Sequence, residues 1–220
     1  MYISMKDCVN LTGGQPFKNV VHIGAHEGQE GQSYVENGVE SIIWIEASRR
    51  FMSRLFDKTK ALNVKQKYIN ACLSNLSNEI VEFNIANNEQ SSSILKLGTH
   101  SKLHPQVSYI DKEILTTQRF DRLAIDQKID LEKIDFINLD VQGAELKVLK
   151  GFGNILCSNN IRAIYTEINF EYVYEDCCLA SELDEYLAFY GFKRIITKGE
   201  VAQWGDALYK RIKSSSDSDE

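Results

Sequence analysis

Residues 20–28 read Val20-Val21-His22-Ile23-Gly24-Ala25-His26-Glu27-Gly28, a short apolar run that stops at one glycine and soon meets a second. The apolar run predicts a β-strand. The two glycines predict a tight turn that a ligand can approach closely, because neither carries a side chain. A helix-like pattern follows over residues 28–38, so the segment has the strand–turn–helix order of an α/β fold.

The same alternation continues along the chain. Short apolar runs predict buried strands, and apolar residues four positions apart predict helices between them. The predicted strands are residues 41–45, 134–139 and 161–168, and the predicted helices are residues 48–56, 144–150 and 181–190. Two last strands, residues 192–197 and 207–212, are expected to pair antiparallel. We therefore predict an α/β fold with a mostly parallel, Rossmann-like sheet, a C-terminal antiparallel hairpin and helices on both faces.

The middle of the chain, residues 64–120, interrupts this alternation. Two strands are predicted there, at residues 68–73 and 80–85. Residues 89–93 and 98–106 have the composition of loops.

Composition and charge exclude several classes of protein. The chain has 220 residues, with 25 Lys and Arg against 31 Asp and Glu, so its formal net charge is −6. Nucleic-acid backbones bind largely through phosphate neutralisation, for which an acidic chain is poorly suited. No segment approaches the ~18 apolar residues of a membrane helix. The five cysteines form no CxxC pair and are expected to be reduced thiols.

These properties predict a cytoplasmic protein with no nucleic-acid partner and no membrane span. No linker or internal repeat divides the chain. We expect a single domain over residues 1–213 and a disordered acidic tail over residues 214–220, which has nothing to bury.

Glu46 ends the second predicted strand. Its spacing from Gly24 is the one at which a ribose-binding acid follows a glycine turn of this kind. A carboxylate there can accept two hydrogen bonds from a ribose diol. The alternative is a simple strand–turn–helix with an acid near the helix start. The glycine spacing is GxxxG, not the GxGxxG of dinucleotide sites, and Glu27 and Glu30 would oppose a pyrophosphate at the helix N-terminus. These charges favour S-adenosylmethionine (SAM), which carries a sulfonium and no phosphate, over NAD.

Two further acids follow predicted strands. Asp140 is expected to face the reactive end of a cofactor, or to be a helix N-cap. Glu167 is expected to be either a surface residue or part of an acceptor pocket. Aromatic residues near these strand ends are candidates for acceptor contacts, although edge and core positions fit them equally well. They are Tyr165, Phe170, Tyr172, Tyr174 and Trp204.

Several segments together resemble one known family. They are residues 20–28, 45–47, 91–95, 120–123 and 165–168, and above all Asp135-Phe136-Ile137-Asn138-Leu139-Asp140-Val141-Gln142-Gly143-Ala144-Glu145. In this order they are similar to the FkbM family of SAM-dependent methyltransferases. The resemblance implies a class I methyltransferase fold with SAM as cofactor. It also implies O-methylation of sugar hydroxyls or of hydroxylated natural products.

The resemblance also implies roles for individual residues. The methionine part of SAM would contact the glycine turn, and the ribose would contact Glu46. The adenine would border residues 70–73, and the methyl group would lie near Asp140. The expected cofactor residues are Gly24, Ala25, His26, Gly28, Glu46, Ala47, Asn70, Ala71, Cys72, Asp140 and Gln142.

Three positions depart from the family pattern. His22 stands where an acid is usual, His26 where an asparagine is usual, and Gln142 where a glutamate is usual. We interpret His22 as a packed, hydrogen-bonded strand histidine. Gln142 removes one charge near the transfer site, so no metal site is predicted.

The function expected from the sequence is methyl transfer from SAM to a hydroxyl of a carbohydrate, for example a deoxysugar such as rhamnose or fucose within a glycan. Asp140, Glu167 and His26 are the candidates for the general base that a weakly acidic sugar hydroxyl needs. A hydroxylated natural product is the alternative acceptor. An NAD-dependent oxidoreductase and a non-catalytic binding module with the same fold are the alternative functions.

Overall fold

The structure is a computed structural model, and it describes residues 3–199 and 203–212. The strands are β1 (Asn19–Ile23), β2 (Ser41–Glu46), β3 (Lys65–Asn70), β4 (Cys72–Leu73), β5 (Ile80–Ala86), β6 (Tyr109–Gln118), β7 (Phe136–Leu139), β8 (Ala163–Asn169), β9 (Phe192–Lys198) and β10 (Trp204–Arg211). The helices are α1 (Met5–Leu11), α2 (Gly31–Glu36), α3 (Arg49–Thr59), α4 (His100–Leu103), α5 (Phe120–Asp126), α6 (Glu145–Phe152) and α7 (Ala180–Phe189). The predicted acidic tail, residues 214–220, lies outside the described residues.

Within the described residues, seven strands form the main sheet in the order β3-β2-β1-β7-β8-β10-β9. The strand pairs from β3 to β8 are parallel. β10 is antiparallel to both β8 and β9. The prediction of a mostly parallel sheet with a C-terminal antiparallel hairpin is therefore confirmed.

Helices cover both faces of the main sheet, because the central strands are apolar on both sides. Ile137 of β7 packs into a core with residues of α5, α6 and α7. The neighbouring residue, Phe136, packs into a second core with residues of α1, α2 and α3. Successive side chains of a strand point to opposite faces, so two adjacent apolar residues serve two cores.

Residues 72–118, which we call the insertion, carry a separate small sheet in the order β4-β6-β5. The predicted strand at residues 68–73 is divided at Ala71 between β3 of the main sheet and β4 of the small sheet, and the Ala71 N–H still donates to the carbonyl of Glu46. The predicted loop at 98–106 contains the short helix α4. Strand β6 was not predicted, because the apolar residues Ile110 and Ile114 on that strand are exposed to solvent and mark no buried face.

None of the helices in residues 3–199 and 203–212 is both long and apolar enough to cross a bilayer. The cytoplasmic location stays a prediction. All five cysteines are free, and four of them are buried while Cys157 is exposed.

Candidate active site

A cavity of about 600 Å³ lies at the carboxyl ends of β1, β2, β7 and β8. This volume is in the range of small-molecule sites, ~300–1,000 Å³. One wall is the strand-end rim, which we define as residues 22–30, 45–47 and 138–145 together with Glu167. The insertion forms the opposite wall with residues between 88 and 107. Parallel sheets bind ligands at this end of their strands.

Gly24 allows the turn after β1 to pass against the end of β7. Its φ is +76°, and a β-carbon added there would lie 1.7 Å from the carbonyl oxygen of Asp140. The Asp140 N–H donates to the carbonyl of Ile23 at 3.0 Å. A side chain at position 24 would therefore force apart the two strand ends that form the rim.

Glu46, the last residue of β2, lines the cavity from a buried position, with 4% of its surface exposed. One carboxylate oxygen accepts the backbone N–H of His26 and the other accepts that of Ser48, both at 2.9 Å. Burial raises the pKa of Glu46 to about 7, although these hydrogen bonds lower it. Each oxygen keeps a second lone pair, so the carboxylate can accept hydrogen bonds from a ligand.

Most of the predicted cofactor residues line the cavity. They are Gly24, Ala25, His26, Glu46, Ala47, Ala71, Cys72, Asp140 and Gln142. Gly28 and Asn70 are not in its lining. A β-carbon on Gly28 would lie 2.4 Å from Thr59 of α3, so this glycine serves close helix packing. The side-chain amide of Asn70 donates to the carbonyls of Glu46 and Ala47 at 2.8 Å and holds the turn after β2.

His26 lines the cavity on the side of the insertion. Its Nε2 lies 3.7 Å from the carboxylate of Glu89, its Nδ1 lies 3.0 Å from the amide of Gln29, and its ring packs edge-on against Phe51. Burial lowers the pKa of His26, so the ring is neutral at pH 7. None of these contacts is with Asp140 or Glu167.

Asp140 and Glu167, by contrast, meet through Gln142. The side-chain amide of Gln142 donates to Asp140 Oδ1 at 2.7 Å and to Glu167 Oε2 at 2.6 Å. The amide oxygen of Gln142 accepts the hydroxyl of Tyr174 at 2.6 Å. Two of the three predicted bases therefore lie together at the cavity.

Burial raises the pKa of Glu167 well above its ordinary value, and the nearby charges of Asp140 and Glu145 raise it further. Glu145 is fully buried at the start of α6, and one of its oxygens accepts the backbone N–H groups of Val141 and Gly143 at 3.1 Å. Burial raises the pKa of Glu145 to about 7. Glu145 thus fixes the loop that carries Asp140 and Gln142.

His22 is buried at the end of β1 and also lines the cavity. Its Nδ1 lies 3.2 Å from the hydroxyl of Tyr34, and burial lowers its pKa. It is a packed, hydrogen-bonded histidine, as the sequence predicts. Across the described residues, no three His, Cys, Asp or Glu side chains are arranged to hold a metal ion.

Comparison with known proteins identifies the fold of this site. The family model described as "Methyltransferase FkbM domain" matches residues 22–194, which is more than half of the chain. The chain belongs to the FkbM methyltransferase family. A search of curated proteins finds no match.

Solved structures share the fold of this FkbM domain at low sequence identity. The SAM-bound magnesium protoporphyrin IX methyltransferase from Synechocystis PCC 6803 is 10% identical with a TM-score of 0.50, over 93% of this chain and 76% of that one. The methyltransferase domain of bacterial CtHen1-C is 9% identical with a TM-score of 0.52, over 94% of this chain and 95% of that one. The class I methyltransferase fold is confirmed.

SAM is the cofactor of the FkbM family, and the charges of the cavity fit it. Six carboxylates line the cavity, namely Glu30, Glu46, Glu89, Asp140, Glu167 and Asp206, and the described lining residues include no Lys or Arg. A sulfonium and an ammonium group suit these surroundings, whereas the pyrophosphate of NAD does not. Both the family and the charges overturn the NAD-dependent alternative.

The cavity is also lined by residues to which the sequence analysis assigned no cofactor or catalytic role. Tyr174 contacts Gln142, and Trp204 and Tyr165 also line the cavity, whereas Tyr172 is exposed and does not. The insertion adds a second group, which includes Glu89, Ser91, His100 and His104. The aromatic cluster after β8 was a usable signal for Tyr174, but nothing in the sequence indicates that the insertion folds over the rim.

Proposed function

We propose that this FkbM domain is an O-methyltransferase that acts on a hydroxyl of a carbohydrate, such as a deoxysugar (rhamnose or fucose) within a glycan. The observation that carries the proposal is the carboxylate pair of Asp140 and Glu167 beside the cavity. A buried carboxylate with a raised pKa is a suitable proton acceptor for a weakly acidic hydroxyl. The polar residues that the insertion adds to the same cavity supply room and hydrogen-bonding groups for such an acceptor.

The cofactor would lie along the strand-end rim. We assign the ribose diol to Glu46, because this carboxylate is buried and lines the cavity. The adenine is assigned to the segment of Ala71 and Cys72, next to Glu46. The methionine part is assigned to the turn at Gly24 and Ala25, where close backbone approach is possible.

The chemical step divides between the cofactor and the protein. Bound SAM would supply an activated methyl group for the acceptor oxygen, and the electron pair of its carbon–sulfur bond would stay on sulfur. The pair of Asp140 and Glu167 takes the proton that the hydroxyl loses. A positioned base of this kind contributes ~10²–10⁴-fold to the rate. Holding the hydroxyl in line adds more, because orientation alone supplies up to ~7–11 kcal/mol in favourable systems.

The lining of the insertion supports a hydroxyl-rich acceptor without negative charge. Asn88, Gln90, Ser91 and Gln106 offer hydrogen-bond donors and acceptors, and Tyr174 offers an aromatic face. A phosphate or carboxylate on the acceptor would meet the carboxylates of the cavity and, among the described lining residues, no Lys or Arg. Polar side chains of this kind favour a sugar over a largely apolar natural product.

The test is a methyl-transfer assay with isotope-labelled SAM and three acceptor panels. The panels are neutral glycans with terminal deoxysugars, the same glycans with a uronic acid at the end, and hydroxylated natural products. We expect alkali-stable methyl ethers on the neutral glycans, located by mass spectrometry and NMR. Methylation only of natural products, or of nitrogen, would contradict the carbohydrate proposal. Binding of S-adenosylhomocysteine without turnover on any panel would favour a binding module.

A further inference from the structure

Gln142 lies at the centre of a hydrogen-bond network that joins four parts of the molecule. Its side chain contacts Asp140 in the rim, Glu167 on β8 and Tyr174 in the loop after β8. Its backbone carbonyl accepts the hydroxyl of Ser93 from the insertion at 2.7 Å. Its φ of +53° is a left-handed conformation, which is costly for a residue with a side chain and is retained where surrounding contacts impose it.

We propose that Gln142 is a positioning residue, whose amide holds the carboxylates of Asp140 and Glu167 side by side and keeps Glu167 available to accept a proton. The inference rests on the proposed function, because it assigns this pair as the base. Gln142 is placed to act through Asp140 and Glu167.

An amide suits this position because it offers two N–H donors to two carboxylate acceptors. The hydroxyl of Tyr174 donates to the amide oxygen and thereby fixes which end faces the carboxylates. In the reversed orientation, the amide oxygen would face the oxygens of Asp140 and Glu167. A glutamate at position 142 would add a third carboxylate to the pair.

The charge balance at Glu167 gives the amide a measurable role. Burial, Asp140 and Glu145 all favour the protonated form of Glu167, while the N–H of Gln142 favours the charged form. The other titratable groups on this side are Tyr174 in the loop after β8, and Asp206, which is the register partner of Glu167 on β10. Tyr165 and Asp206 are hydrogen-bonded to each other. The hydrogen bond from Gln142 thus opposes the protonation of Glu167 that burial and the neighbouring carboxylates favour.

The first experiment titrates Glu167 in the free protein, with neither cofactor nor acceptor. Carboxyl carbons are labelled in glutamate, and Glu167→Gln identifies the resonance of Glu167 by NMR. In Gln142→Met, we expect the pKa of Glu167 to rise by about one to two pH units, the scale of one hydrogen bond to a charged group. The matched control is Gln32→Met, which removes an exposed amide that donates to Glu36 at 2.9 Å and lies outside the cavity lining.

The second experiment measures turnover against pH. We expect Gln142→Met to lower kcat about tenfold at pH 7, to leave the KM for SAM unchanged, and to regain activity at higher pH as Glu167 loses its proton. A purely structural role would not produce recovery with pH. Tyr174→Phe keeps the amide of Gln142 but removes the hydroxyl that donates to its oxygen, so it should give a smaller effect in the same direction. This variant serves as the test if Gln142→Met does not fold.

The outcomes separate the inference from the proposed function. An unchanged Glu167 titration in folded Gln142→Met, or in folded Tyr174→Phe if only that variant folds, would overturn the role of Gln142 even if carbohydrates are methylated. Failure of the unmodified protein to methylate any carbohydrate would overturn the proposed function, while the titration would still decide whether Gln142 controls Glu167.

Discussion

The strand-end rim and the insertion form opposite walls of one cavity but are built in different ways. The rim takes Glu46 from the last position of a parallel strand, and Gly24 and Asp140 from positions that directly follow one, so the pairing of the main sheet places them. The insertion reaches the cavity from irregular segments such as the one that carries Glu89 and Ser91. The rim therefore suits a cofactor shared across the fold, and the insertion is the place where acceptor selection can change without disturbing the sheet.

The two walls also differ in their electrostatics. Burial raises the pKa of Glu46 in the rim to about 7. In the insertion, a hydrogen bond from Arg54 at 2.8 Å lowers the pKa of Glu89. Buried carboxylates of the rim such as Glu46 and Glu167 are thus costly to ionise, while the insertion uses the ion pair of Glu89 to hold itself against α3.

The largest effect is expected for Glu167→Gln, which removes a proposed base of the rim and nearly preserves its shape. Turnover should fall by ~10²–10⁴-fold, the usual contribution of a positioned base. Binding of S-adenosylhomocysteine, measured by calorimetry, should stay unchanged. Glu185→Gln, an exposed glutamate on α7, is the control. A loss of turnover smaller than about tenfold would place the base on another residue and weaken the distinction between the two walls.

The pH dependence of stability provides the next test, through Glu46→Gln in the free protein. The folded pKa of about 7 lies above the ordinary value of 4.5, so the folded state binds the proton more tightly. The stability contributed by Glu46 is therefore complete below about pH 4.5 and is lost as pH rises through about 7. The free energy of unfolding of the variant minus that of the unmodified protein should therefore be about 2–3 kcal/mol larger at pH 8 than at pH 5.

Chemical denaturation at several pH values measures this difference, and any constant cost of the substitution cancels between them. Glu89→Gln should change stability in the opposite sense, because its pKa is lowered and its contribution is lost as pH falls. A pH profile for Glu46→Gln that runs parallel to that of the unmodified protein would show that Glu46 is ionised without penalty.

The substitution Glu46→Gln should also weaken cofactor binding. We expect Glu46→Gln to raise the Kd of S-adenosylhomocysteine by about tenfold or somewhat more, because one charged hydrogen bond to the ribose is worth ~1.5–3 kcal/mol. The unmodified protein should bind adenosine more tightly than 2′-deoxyadenosine, and the variant should lose part of this preference. Equal discrimination by both proteins would show that the ribose lies elsewhere.

The rim could be predicted from the sequence because its residues follow apolar runs. Ile23 is followed by Gly24, and Leu139 is followed by Asp140, so finding the strands also found the strand ends. Where each side chain points was harder to predict. The sequence motif does not reveal that Gly28 faces α3, or that the amide of Asn70 turns back to the chain after β2.

The insertion resisted prediction for a physical reason. On its strand β6 the apolar residues Ile110 and Ile114 are exposed while the polar residue Thr117 is buried, so the apolar pattern does not mark the covered face. Its contacts with the rest of the cavity are distant in sequence, as when Glu89 meets Arg54 or Gly98 donates to the carbonyl of Val173. A pattern within one segment carries no information about such partners.

The smallest effect is expected at the insertion itself, for Glu89→Gln. The ion pair with Arg54 is about one-third exposed, and pairs of this kind contribute ~0.2–1 kcal/mol. We expect the KM for the acceptor to rise two- to fivefold, with kcat within about twofold and S-adenosylhomocysteine affinity nearly unchanged. High salt should produce the same change in the unmodified protein, because it screens the pair.

Glu82→Gln is the matched control, because it removes an equally simple ion pair, with Lys112 at 2.6 Å, from an exposed part of the same small sheet. That variant should leave every kinetic constant unchanged. If Glu89→Gln instead lowered kcat and cofactor affinity as strongly as a rim variant, the two walls would not divide their roles. The segment around Glu89 would then have to be counted with the cofactor site, and acceptor selection would fall to the region near His100 and His104, which also lines the cavity.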